Sequence, residues 1–381
     1  MYPVRQTPHS VGRTAELRMA AALQLHPYPD PHCPNTRPMS RFLTQTMETI
    51  RCRLLCLLAV CCLGLVGCTA ADGTGQLQQP PAIPDRLQVV TTVAPLADII
   101  GNVIGDLANL QALVPPGVNS HTYEPTPSDA RHLAAADLIF INGLQREALI
   151  LARAEANVAE GVPIVALGDR VLDRSDWVFD FSFPESGGAP NPHIWLNPEL
   201  VMACVEVIAE ELGRADPAQA EAYAANAETY LNRLRQLDEA LAEASATVPE
   251  SQRQLLTYHD SWAYFGPRYG FTVTGAIQPA DMAEPSAREV ADLIRQVREA
   301  NVPVIFGAAE FPSPVLEAIA RETGARLEAS LADDVLPGEP GDPEHSYIGM
   351  MLYNTRIIVA ALGGDVQALD SVPLTQNQAN G

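Results

Sequence analysis

Two series of short apolar runs alternating with helix-period stripes, one on each side of a long amphipathic segment, restrict this chain to few architectures. In the first series the β-branched run 87–93 is followed by a stripe of Leu96, Ile99, Ile100, Val103 and Ile104. Apolar runs at 110–114, 138–142 and 163–167 come next. They are separated by helical patterns that start near Ser128-Asp129 and at Arg146, the latter reaching about 158. Strands that alternate with helices in this way predict a parallel sheet joined by right-handed crossovers. The second series repeats the scheme with strands at 255–258, 271–276, 303–306 and 326–331, and helices at 262–269, from Ser286 through 297, at 314–323 and at 347–362. Between the two lies helix 198–212, then a segment opened by Asp216-Pro217 that keeps Tyr223, Tyr230, Leu234, Leu237 and Leu241 on one face. As one helix running to 246 it would be roughly 45 Å long, a length unusual inside a compact domain. The expected fold class is α/β with two lobes, each a parallel sheet flanked by helices.

The 381 residues carry a formal net charge of −22, with arginine as the only strong base. That balance argues against nucleic acid as a partner. Six of the seven cysteines lie at or before position 68, so no disulfide framework is expected; Cys204, on a predicted helix, reads as a small buried hydrophobe. Residues 1–46 are rich in proline, arginine and histidine and show no apolar period. Arg51 and Arg53 then precede an apolar stretch, 54–67, too short to span a bilayer but suited to a signal-peptide core. It ends in Leu65-Val66-Gly67-Cys68, which resembles the bacterial lipobox. That resemblance implies cleavage before Cys68 and a lipid on its thiol. Residues 1–67 are thus read as a leader and 68–85, rich in Gly, Gln and Pro, as a flexible tether spanning about 20–25 Å. The body divides into a first lobe at 86–215, a linking helix at 216–247 and a second lobe at 248–364, with 365–381 as a disordered tail.

Three histidines share one setting. His121 lies in the Pro/Gly-rich loop after run 110–114, His193 stands between prolines just before a helix, and His259 ends a strand just before another. Open α/β sheets place ligands at the carboxyl ends of their strands, and imidazole is the commonest metal-binding side chain. Spacings of about seventy residues match no local zinc motif, so convergence on one ion is an expectation about the fold, not a motif match.

The segments PPGVNSHTYEPTPSD, NPHIWLNP, YHDSWAYFGPRYGF and SYIGMMLYN, in that order over roughly residues 85–363, resemble the metal-binding solute receptors of ABC importers, the zinc and manganese receptors of cluster A-I (cluster 9). The resemblance implies that the linking helix is a stiff spine between the lobes and that four side chains hold one divalent ion in the cleft. His121, His193 and His259 match three of these. A histidine at the third position goes with zinc-selective receptors in this family, so Zn2+ is expected over the alternative Mn2+. It further implies an extracytoplasmic, membrane-tethered protein serving a cognate ABC permease, and no enzyme. The family's fourth ligand is an aspartate after the last strand, where this sequence has Ala329. Asp333, Asp334, a shifted Glu328 or water are the alternatives. Glu124 and Asp260 are candidates to accept the second ring N–H of a neighbouring histidine, and Trp195 and Trp262 to wall the cleft. His132 reads as a helix-surface residue and His345 as a loop residue. The loop 169–191 contains no histidine, unlike the histidine-rich loop of some zinc receptors, so no role in gathering metal is expected of it.

Two other functions fit part of this pattern. Three histidines with a water form a catalytic zinc shell, which keeps a zinc hydrolase open, although HExxH and nucleophile-elbow motifs are both missing. A surface adhesin is the third. Capture by neutral imidazoles leads to the expectation that metal binding weakens as pH falls through about 6.5.

Overall fold

The computed structural model describes residues 86–118, 120–147, 157–278, 285–309 and 314–374, all within one compact unit, 79–381. The leader 1–67, Cys68, the tether 68–85 and most of the helix expected over 146–158 lie outside the described residues.

The first sheet contains β1 (Gln88–Thr91), β2 (Asn109–Ala112), β3 (Leu138–Ile141) and β4 (Ile164–Ala166) in the order β2-β1-β3-β4. The second contains β5 (Gln254–Thr257), β6 (Thr272–Ala276), β7 (Val304–Ala308) and β8 (Arg326–Leu331) in the equivalent order β6-β5-β7-β8. Every pairing is parallel. In both lobes the chain steps outward from the first strand and then returns past it. This puts a topological switch between β1 and β3 and another between β5 and β7, where loops leaving the strands' carboxyl ends can splay around a ligand. All four residues of β3 are buried, as befits a strand covered on both faces.

The helices α1 (Ala94–Ile104), α2 (Pro127–Ala134), α3 (Leu167–Val171) and α4 (Pro198–Ala215) belong to the first lobe. α1 buries the whole stripe read from the sequence, Leu96 to Ile104. α2 is capped two residues earlier than Ser128: Pro127 takes its first turn, Thr126 caps it, and the Asp129 carboxylate accepts from the Thr126 N–H in a reciprocal capping box. The helix α5 (Ala220–Ala246) follows, 27 residues and roughly 40 Å long. It begins at Ala220 because Pro217 falls in a separate turn closed by the Gln219 N–H on the Asp216 carbonyl. Helices α6 (Phe265–Tyr269), α7 (Ala287–Ala300), α8 (Pro314–Thr323) and α9 (Tyr347–Ala361) complete the second lobe.

α5 packs against α1 and α4 on one side and α6 and α9 on the other. The largest core is accordingly continuous between lobes, joining Val89 and Leu138 of the first sheet with Leu255 and Phe306 of the second through Leu234 and Leu241. Cys204 is buried in this core on α4, and burial pushes its thiol up to about 12. Of the segment 365–381, expected as a disordered tail, residues 365–374 are described and pack on the body. A helical turn, Gln367–Ser371, buries Leu369 against the main core, and Arg233 donates to the Leu374 carbonyl (3.0 Å). An apolar residue close to a long helix gains more by packing than the short segment loses in chain entropy. Among the described residues no helix is long and apolar enough to cross a membrane.

Candidate metal centre

The loop after β2 leaves the sheet through Leu113 and Val114, whose N–H groups donate to the carbonyls of Thr91, the last residue of β1, and Thr92 just beyond it. Pro115, Pro116 and Gly117, the last with φ +72°, then turn it across the sheet end and present His121. His193 precedes the single helical turn Ile194–Leu196 that leads into α4. His259 stands two residues beyond β5, and Asp334 three beyond β8. His193, His259 and Asp334 are buried and His121 nearly so.

These four side chains converge. Their ligand atoms all lie within 4.8 Å of one another, and the imidazole centroids are 4.8, 4.9 and 5.5 Å apart. His121 Nε2 is 2.8 Å from Asp334 Oδ2, His193 Nε2 is 3.5 Å from Asp334 Oδ1, and the Nε2 atoms of His193 and His259 are 3.1 Å apart. Two imidazoles are oriented from behind: His193 Nδ1 is 2.7 Å from the Asn191 side-chain oxygen, and His259 Nδ1 is 3.2 Å from Gln278 Oε1. With the ring protons on those Nδ1 atoms, the two Nε2 lone pairs face each other across the centre.

Burial holds the His193 imidazole well below its ordinary range and brings His121 down to about 4, where the nearby Arg146 adds to the effect. Both rings are neutral at physiological pH and able to ligate. The Asp334 carboxyl is resisted by burial, but Arg146, His121 and His193 outweigh that and keep it well below the usual carboxylate range. The centre therefore offers three nitrogens and one anionic oxygen. Asp334 Oδ1 is buried and, among the described residues, receives no hydrogen bond.

Among the alternatives for a fourth donor, Asp334 is the one that joins the histidines. Asp333 turns away, its carboxylate taking the Ser261 hydroxyl and its carbonyl the Trp195 Nε1–H (2.7 Å). Glu328 is half-buried and pairs with Arg326 Nε (2.8 Å). β8 is bulged against β7: Phe306 pairs with Glu328 but Gly307 with Ser330, so β8 has one extra residue at 329. Beyond the bulge the chain reaches the cleft five positions past Ala329.

Asp260, adjacent to His259, instead serves the opposite lobe, its Oδ2 accepting the Ser182 N–H (2.7 Å) and its carbonyl the Asn191 side-chain amide (2.9 Å). Glu124 is exposed. Trp195 does wall the cleft, packing edge-on to His193 at 5.2 Å, whereas Trp262 packs against Phe265 in the core. His345 sits against the carbonyls of Pro337 and Gly338 in its own loop. Arg146, Asn191 and Gln278 also contact the cluster, and of these only Asn191, two residues before His193, carries a local signal in the sequence.

Residues 89–361 match the family described as zinc-uptake complex component A, periplasmic. The chain is 30% identical over 296 residues to the manganese-binding lipoprotein MntA of Halalkalibacterium halodurans, covering 78% of this chain and 93% of that protein. It is 29% identical over 311 residues to the zinc-binding protein TroA of Treponema pallidum, covering 78% of this chain and 94% of TroA. The solved structure of that periplasmic zinc-binding protein superposes with a TM-score of 0.66 at 28% identity, over 73% of this chain and 99% of that one. The solute-binding protein FpvC of Pseudomonas aeruginosa in complex with Mn2+ gives 0.64 at 31%, over 73% and 98%. The chain belongs to this family of metal-binding substrate receptors of ABC importers, a family of carriers and not of enzymes.

Proposed function

We propose that this protein captures a single Zn2+ between its lobes through His121, His193, His259 and Asp334 and delivers it to the permease of an ABC importer. The observation that carries the reading is the 3.1 Å approach of two imidazole Nε2 atoms whose Nδ1 atoms are both engaged elsewhere, beside a buried carboxylate oxygen that lacks a donor. Facing lone pairs repel in a buried site, and a cation between them turns that repulsion into binding. Zinc at about 2.0–2.1 Å from each donor needs tetrahedral neighbours roughly 3.3 Å apart, and the contacts of 2.8, 3.1 and 3.5 Å bracket that spacing. Three nitrogens and one oxygen suit Zn2+; Mn2+ takes a shell richer in oxygen.

The test is calorimetric titration of the metal-stripped protein with Zn2+ and, separately, Mn2+ near neutral pH. Tight 1:1 binding of Zn2+, with Mn2+ weaker, is expected. The absence of a Zn2+ signal sinks the reading, and a preference for Mn2+ reverses the choice of metal. The Leu65–Cys68 motif supports an extracytoplasmic location with lipid on Cys68. Expression of Cys68→Ala in a lipoprotein-processing bacterium then releases the protein from the membrane fraction; retention of that variant contradicts the anchor.

A further inference from the structure

The donor cluster already holds a cation supplied by the chain itself. The Arg146 guanidinium places Nη1 3.3 Å from His121 Nε2 and 3.5 Å from His193 Nε2. Its Nη2 donates to Asp334 Oδ2 at 3.1 Å and to the Ser120 hydroxyl. The guanidinium carbon lies 4.9 Å over the Trp195 ring, a cation–π contact. Arginine remains charged at any pH a protein tolerates, and here its side chain is only 6% exposed.

The backbone is built to put it there. Gly143, Leu144 and Gln145 have φ of +81°, +53° and +64°, three consecutive left-handed residues of which two carry side chains. Such a run is costly unless its surroundings hold it. The hold is visible: the buried Glu147 carboxylate accepts from the Asn142 N–H (2.9 Å), the Gly143 N–H (3.0 Å) and the Thr92 hydroxyl (3.0 Å). Asp169 accepts from the Leu144 N–H at 3.1 Å. A Cβ at position 143 would come within 2.3 Å of that same Asp169 carboxylate.

We infer that Arg146 is an internal competitor for the metal: in the ion-free protein its guanidinium neutralises Asp334 and occupies the imidazole donors, and a divalent ion binds only by displacing it. The inference rests on the function proposed above and adds an affinity-setting residue to it. Competition follows from charge. One carboxylate cannot offset a divalent ion and a guanidinium together in a buried site, so Arg146 must withdraw from Asp334 for the ion to be held. The arrangement trades affinity for ease of release, since the returning guanidinium replaces the ion's contacts as it leaves.

The experiment compares metal-stripped full-length wild type, Arg146→Met and Arg146→Lys by Zn2+ competition against a chelator, with thermal melts to monitor folding. Arg146→Met, of similar length but uncharged, is expected to bind Zn2+ about tenfold more tightly or better. Arg146→Lys, which keeps the charge but loses the planar fork and the stack on Trp195, is expected to bind Zn2+ less tightly than Arg146→Met. Equal or weaker binding by folded Arg146→Met overturns the inference while leaving the receptor reading intact. If neither wild type nor Arg146→Met binds Zn2+, both fall. Should Arg146→Met not fold, wild type with 15N-labelled arginine decides: the side-chain signal absent from Arg146→Lys shifts and exchanges faster with solvent on saturation with Zn2+. An unmoved signal overturns the inference.

Discussion

At the scale of single residues the cleft separates side chains that would touch the ion from those that aim them. Replacing His193 or His259 with alanine removes one of the four proposed donors and is expected to weaken Zn2+ binding by about 3 kcal/mol or more. Asn191→Ala leaves every donor in place but frees the His193 ring to rotate; a loss of about 10–100-fold in affinity is expected. Chelator competition measures both, and unchanged affinity in Asn191→Ala would show that the ring is held by packing alone. Asp334→Ala does more, because it strands the buried Arg146 charge. The metal-free protein should lose about 3–5 kcal/mol in urea unfolding, beyond its loss of metal binding.

His121 titrates near 6.5 in the unfolded chain and near 4 in the folded, metal-free protein. Between those values the unfolded state binds more protons, so this group lowers stability as pH falls from 6.5 to 4, by up to about 3 kcal/mol, and adds nothing further below 4. Asp180, held up to about 8 by burial and by the neighbouring Asp260, acts in the opposite direction across the same range. The His121 contribution must therefore be read as a difference. Wild type should lose stability relative to His121→Gln as pH is lowered from 7 to 4.5, and parallel urea curves contradict the assignment. The expectation of metal release near 6.5 moves down accordingly. With His121 and His193 neutral well below that pH, Zn2+ affinity should fall far less between pH 7.5 and 5.5 than the roughly thousandfold that three free imidazoles would give.

Among the elements, α5 holds the cleft's geometry, since both lobes pack on it. Leu237→Ala in its buried face should cost about 2–5 kcal/mol in urea unfolding, with a spread set by how far the site collapses. Strands and helices were legible in outline because each is a local pattern: α8 and β8 run over the expected 314–323 and 326–331. The misses arose where a local signal competed with a better one nearby. Pro127 drew the cap of α2 back to Thr126, Pro217 served a turn ahead of α5, and the extra residue at 329 hid the route from β8 to Asp334.

For the whole molecule, the continuous core predicts that the lobes unfold together. Circular dichroism and tryptophan fluorescence should give coincident urea transitions for the metal-free protein; separate midpoints would mean that the lobes are independent. On the proposed function, Zn2+ bound by the folded cleft should add about 4 kcal/mol at a thousandfold excess over its dissociation constant, and chelation should remove that increment.

The sequence by itself determined the α/β alternation, the long helix dividing it and the loops that carry His121, His193 and His259, because periodicity, proline and glycine act over a few residues. Only the tertiary structure decided that Asp334 and not Asp333 or Glu328 completes the cluster, that Asn191 and Gln278 orient the rings, and that Arg146 lies among the donors. Those choices depend on which side chains meet across two sheets and a bulged strand, and distance through space leaves no mark in local order along the chain.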